Sequence, residues 1–362
     1  MRSVRHTISA KQLRRLQLMA ILPTTVVFLP GQAFAQAGSG ALWALALATG
    51  GGLAINWSVA ALMAGHGPHH VFQKALGRSG GQVLSGFYGL ALAVACISIW
   101  NELLSFVQAS VLPRTPGWAV GALVLGAAVA LAYGRAEGLA RVSDLLTMTG
   151  LGFSAILILP TLGFIRPTNY LPWWPNRWAS VWSAAALPLS FLGESVVGVS
   201  FLDYCREDRP ARLTRAVVEG ALGASAVLLA TTIVVWGVLG VGYARLATYP
   251  VLETIRLVRA GQFLSRLDLI FVPVWLGLIE LKLAIWLFAA SDALRRAWRR
   301  RWHAAWPLAT GGLTLALALV AFPSVPSRIG FIATSWTFSL FPALVGVLAG
   351  AGARMRLSPR VR

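Results

Sequence analysis

An all-helical membrane domain of about ten spans is predicted by three observations. The composition is 57% hydrophobic and only 12% charged over 362 residues, with a mean hydropathy of +0.70, far too apolar for a common soluble domain. Apolar windows of about 20 residues, the length that crosses a bilayer core, recur along the whole chain. Those windows are too long and too uniformly apolar for barrel strands, so each reads as a helix.

The spans fall at 13–35, 41–63, 83–110, 117–133, 143–165, 179–203, 216–241, 269–292, 304–322 and 329–351. The net charge of +19 is not spread evenly between them. With the N-terminus inside, 22 Lys and Arg fall in the inner segments. They include Arg206, Arg209, Arg212 and Arg215 before the seventh span and Arg295, Arg296, Arg299, Arg300 and Arg301 after the eighth. Eight fall outside, Arg114, Arg166, Arg177 and Arg245 among them. This bias predicts cytoplasmic termini and an even number of spans. The basic residues set topology and meet anionic lipid, so no nucleic-acid partner is expected. Long soluble insertions and linker compositions are absent from the sequence, so 1–362 reads as one transmembrane domain.

Two spans carry breaks. In the first, Pro23, Thr24 and Thr25 precede Pro30-Gly31, and in the sixth, Pro188 and Gly193 flank Ser190 and Glu194. Proline removes a backbone donor and frees carbonyls at a depth where lipid cannot satisfy them. Interruptions five spans apart point to an inverted five-plus-five repeat with a site between discontinuous helices, although simple kinks would leave the same signature.

Lys282 lies mid-way in the eighth span, Leu269 to Ala290, with Glu280 two residues before it. A charge at that depth costs several kcal/mol unless partnered, so it marks a functional site by default. Residues two apart on a helix point about 200° from each other, which makes Glu102 and Glu194 better partners for Lys282 than Glu280. Between the seventh and eighth spans, residues 249–260 place Val251, Leu252, Ile255 and Val258 on one side, with Glu253 and Arg256 on the other. This short amphipathic helix, entered through Tyr249 and Pro250, reads as a surface connector or as a lid over an outer pocket.

Cys96 and Cys205 are read as packing residues, and no disulfide is expected. His66, His69 and His70 lie in a Gly- and Pro-containing loop and read as interfacial residues of a polar turn, so neither a metal nor another cofactor is expected. Nucleophile-elbow and phosphate-loop motifs are lacking, so an enzyme is not expected.

The segment Tyr249-Pro250-Val251-Leu252-Glu253, then Phe263 to Asp268, then Trp275 and Lys282 before an Arg-rich end, resembles the spore germination permeases. These are the B subunits of endospore germinant receptors, within the amino acid-polyamine-organocation superfamily. Ile8-Ser9-Ala10-Lys11-Gln12 leading to Thr24 through Pro30 is similar to that family's opening. Residues Leu16 to Pro30 followed by Ala33-Phe34-Ala35 also fit a secretory signal peptide. Because the resemblance begins inside this segment, retention as the first span is expected.

The resemblance implies a leucine-transporter type fold with helices one and six unwound at the centre. It further implies a spore inner membrane location, partner receptor subunits, and a small nutrient, usually an amino acid, that triggers germination. A zwitterion is then expected between the breaks, its carboxylate on the amides of Thr24, Thr25 and Val26 and its ammonium on Ser190, Gly193 and Glu194. For Glu194 two roles stay open, ligand contact and capping of the second half-helix. By fold analogy Lys282 takes the place of a bound cation and bonds freed carbonyls of the first helix. Pro23 stands where the family usually has glycine, which puts one backbone donor to the carboxylate in doubt. Rival functions are a proton-coupled amino-acid carrier using Lys282 or Glu280, and a nutrient-gated ion channel component.

Overall fold

The computed structural model of the protein describes residues 7–207, 209–257, 267–301, 303–322, 327 and 330–357. The residues Phe263 to Arg266 of the opening resemblance, Val258 of the short amphipathic helix, and the basic residues Arg2 and Arg5 lie outside those described. So do Arg259, Arg328, Arg360 and Arg362.

Helix α1 (Ala10–Ala37) starts at a capping box in which Ser9 Oγ accepts from the Gln12 amide at 3.3 Å and Gln12 Oε1 accepts from the Ser9 amide at 3.0 Å. α2 (Ala41–Met63) follows after one tight 3₁₀ turn. α3 (Pro68–Ser110) begins with proline at its first position, where the missing amide costs nothing. Gly77, at φ +73°, splits α3 into a short leading helix and a long span, because only a residue without Cβ takes that conformation cheaply. α4 (Gly117–Tyr133) and α5 (Arg135–Thr161) meet at a bend of 112°.

The sixth span is α6 (Trp178–Leu192), a turn at Gly193 and Glu194, the single turn α7 (Ser195–Gly198) and a 3₁₀ stretch, Val199–Tyr204. α8 (Pro210–Ala244), the short α9 (Pro250–Leu257), α10 (Asp268–Ala297) and α11 (Ala305–Ala321) come next. The last span is a π-helical stretch, Ile332–Leu340, running into α12 (Phe341–Leu357).

Among the described residues each predicted window thus falls on helical structure, the sixth on the broken run from α6 to the 3₁₀ stretch. Among the described residues, six stretches are by length and composition apolar enough to cross a membrane, with a seventh if α4 and α5 count together; one of the six, Ala10–Met63, contains both α1 and α2. α1 and α10 form the centre, buried on all sides over Leu16 to Thr25 and over Leu281 to Leu294. Large apolar side chains such as Leu123 and Val320, 79% and 81% exposed, point outward from α4 and α11, as a lipid-facing surface requires.

One expectation is corrected. α1 is not unwound at its centre; it runs unbroken through Pro23 and Pro30. Neighbours satisfy the carbonyls around Pro23: Trp275 Nε1 donates to Pro23 O at 2.8 Å, Trp286 Nε1 to Ala20 O at 3.3 Å, and Thr25 Oγ1 to Leu22 O at 3.0 Å. With those groups bonded, a proline kink needs no unwound turn.

Candidate functional site

The sixth span does break. Gly193 and Glu194 form a turn rather than helix, with Glu194 N donating to Phe191 O at 3.3 Å and Val197 N to Glu194 O at 3.2 Å. Gly193 is required there because a Cβ would stand 2.5 Å from Phe341 Cζ and 3.0 Å from Leu189 O. The break frees the carbonyl of Leu192, which accepts from Asn56 Nδ2 at 2.8 Å. Asn56 is fully buried on α2, and its Oδ1 accepts from Gln17 Nε2 at 3.3 Å. Sequence reasoning passed over both residues; the available signal was a side-chain amide inside an apolar span.

Facing the break, Lys282 is 0% exposed. Its ammonium donates to Thr24 Oγ1 at 2.6 Å and to Glu194 Oε2 at 3.0 Å, with the rings of Phe191 and Trp286 at 5.7 and 5.8 Å. One cation thereby joins α1, the break and α10. Two charges taken out of water are tolerated only with such close pairing and bonding. The lysine contacts a hydroxyl of α1 and not its carbonyls, because the indoles of Trp275 and Trp286 hold those nearby.

These groups border a small cavity of about 20 Å³, room for roughly one water. α3 contributes Ala95, Ser98, Ile99 and Glu102, the sixth span Phe191 and Glu194, and the last span Ile332 and Trp336. Ser98 Oγ is buried there with no hydrogen-bond partner among the described residues. The structure therefore brings Thr24, Glu102, Glu194 and Lys282 to one cavity. Thr25 is buried but uses its hydroxyl on its own helix, and Val26 is half-buried in apolar contacts. Because α1 is continuous, the amides of Thr24, Thr25 and Val26 belong to the helical ladder and are not offered to a carboxylate. Ser190 Oγ bonds Leu187 O at 2.8 Å and lies 3.2 Å from Thr337 Oγ1, beside the cavity rather than in its lining. Glu280 points away, half-buried, and does not line the cavity.

Packed clusters flank the cavity on both sides along α3 and α10. Toward α9, the ring of Tyr249 packs on Phe106 at 5.0 Å and Phe106 on Trp275 at 4.1 Å. Pro250 opens α9, and Glu253 pairs with Arg256 at 3.1 Å. Toward the end where Thr7 and Leu357 lie, Tyr88 OH donates to Val196 O and lies 2.7 Å from Ser200 Oγ. Beyond it, Asp203 accepts from Gly67 N at 2.6 Å and from Arg296 Nη1 at 2.9 Å, and Arg296 also pairs with Asp292 at 2.8 Å. Tyr204 O accepts from the amides of Thr7 and Ile8 at 2.8 and 3.1 Å, which ties the start of the chain to the same latch.

The three histidines sit beside that latch. His66 and His70 stack at 4.4 Å, and the two ring nitrogens of His69 meet Ser85 Oγ at 2.7 Å and Gln73 Nε2 at 3.0 Å. Burial, and then the charge of Lys74, hold the His66 pKa below its ordinary value.

A family model described as spore germination protein matches residues 7–321. Among solved structures, MhsT in complex with L-phenylalanine superposes with a TM-score of 0.72 at 14% identity, covering 99% of this chain and 94% of that one. Mhp1, a nucleobase-cation-symport-1 family transporter in a closed conformation with bromovinylhydantoin bound, gives a TM-score of 0.60 at 15% identity, covering 95% and 79%. At such identities the likeness shows the fold, and that fold is the leucine-transporter type. No curated protein matches the sequence.

Proposed function

The chain belongs to the spore germination protein family, and from that premise we propose that it is a nutrient receptor subunit that binds an amino acid in the cavity around Lys282. An integral membrane permease fold is the frame for this reading. The observation that carries it is the fully buried ammonium of Lys282, bonded to Thr24 and Glu194 where the sixth span breaks.

An ammonium has three donors, and two are used by Thr24 and Glu194. The third meets the ligand carboxylate, while Glu102, across the cavity on α3, receives the ligand ammonium. Lys282 thus does two things at once: it replaces a bound cation between α1 and α10, and it supplies the anion contact that the α1 amides do not. With room for about one water, the cavity admits a ligand only after the Tyr249–Phe106–Trp275 plug moves, which gives α9 the part of a lid. Binding shares the Lys282 ammonium between Glu194 and the ligand carboxylate, loosens the second half of the sixth span, and so loads the Asp203 latch. Both termini face the cytoplasm in this reading, where partner receptor subunits sense the latch and spore germination is triggered.

Titration of the purified chain in lipid nanodiscs with common amino acids is expected to show saturable binding that Lys282→Met abolishes while the protein stays inserted. Undiminished binding by well-inserted Lys282→Met would rule the reading out. The permease fold equally supports a carrier, and uptake of labelled amino acid into liposomes separates the two: accumulation marks a carrier, binding without accumulation a sensor.

A further inference from the structure

The charged and hydroxyl groups of the cavity come from α1, α3, the sixth-span break and α10. The last span contributes only Ile332 and Trp336, both carbon-rich. Those two residues stand on a π-helical stretch nine residues long, where such geometry is usually a single turn and often marks a functional site. The i to i+5 spacing is visible in the side chains as well, since Thr337 Oγ1 donates to Ile332 O at 2.8 Å. It brings Ile332, Trp336 and Thr337 to one face.

That face is fastened to the break at two points. Thr337 lies against Ser190 at 3.2 Å, and Phe341 sits where a Cβ on Gly193 would be 2.5 Å away. The indole of Trp336 is 3% exposed and wedged between Trp286 and Phe341, each at 6.4 Å. A wide helical turn, packed against Ser190 and followed by Phe341 against Gly193, thus holds one large ring at the edge of the cavity.

We propose that Trp336, supported by Ile332, is the size-selecting wall of the site: it meets the apolar side chain of an amino acid whose charged head is held at Lys282. This rests on the binding reading above. A ligand anchored by its head at Lys282 has its side chain directed to the carbon-rich side of the cavity, where Phe191, Ile332 and Trp336 stand, and the indole limits that side chain to a few carbons.

The test measures dissociation constants for glycine, alanine, valine, leucine and phenylalanine on the full chain in nanodiscs, for the wild type and for Trp336→Ala, Trp336→Phe, Ile332→Ala and Lys282→Met. Trp336→Ala is expected to shift the ratio of leucine to alanine affinity toward leucine by about tenfold or more, the scale at which pocket size discriminates side chains. Trp336→Phe and Ile332→Ala should shift it in the same direction by less. Unchanged ratios in variants that still bind overturn the proposal and leave the head-group site standing, provided Lys282→Met has lost binding. If Trp336→Ala does not remain folded by size-exclusion chromatography, the milder pair decides, and unchanged ratios in both overturn it. Wild-type protein that binds none of the series, or Lys282→Met that binds as wild type, overturns the head-group reading and this proposal with it.

Discussion

Lys282 announces itself in the sequence because a cation in a 22-residue apolar run has few affordable environments. What it touches was only half legible. Glu194 stood out as a carboxylate beside Pro188 and Gly193, whereas the hydroxyl of Thr24, 258 positions away, became its ligand only through packing. Ser98, Asn56 and Gln17 were missed since an uncharged polar residue in an apolar span looks the same whether it faces a cavity, a neighbour or its own backbone. Removing one partner of a buried pair strands the other charge, so Lys282→Ala is expected to cost about 3–5 kcal/mol. The double variant Lys282→Met with Glu194→Met should recover much of that loss. Thermal unfolding of the three proteins in the same detergent checks it; a double variant as unstable as the single one would contradict the pairing.

Helices carry their own lesson. Pro188 with Gly193 breaks the sixth span while Pro23 with Pro30 leaves α1 continuous, although the two sequences carry comparable signals. The difference lies outside both segments: indoles from α10 bond the α1 carbonyls, whereas the sixth span turns at Gly193, where Phe341 leaves no space for a side chain. Asn56 is the counterpart of those indoles at the broken end. Asn56→Leu leaves Leu192 O buried without its donor and should cost about 1–3 kcal/mol, read as a lowered unfolding midpoint. Unaltered stability would mean that the break finds its donors elsewhere. The π-helical stretch Ile332–Leu340, which meets the sixth span through Thr337 and Ser190, had no sequence signature.

At the scale of the molecule, the cavity lies between an aromatic plug and a charged latch, and Asp203 joins the α2–α3 loop, the sixth span and α10 in that latch. Asp203→Asn weakens the pairing with Arg296, so a cysteine introduced at Ser200 should react several-fold faster with a maleimide supplied from the side of the termini. An unchanged rate would show that Asp203 does not gate that side. The same reagent kept outside intact cells should leave a cysteine at Arg299 unlabelled if the Arg-rich end is cytoplasmic.

By itself the sequence determined the membrane class, the helical segments and the special status of Lys282, since burial of apolar length and the cost of a buried charge are local properties of the chain. Tertiary structure alone decided that α1 stays whole, that Thr24 and Glu194 share one ammonium, and that Trp336 faces them, because each depends on which distant side chain fills the remaining hydrogen bond or the remaining space.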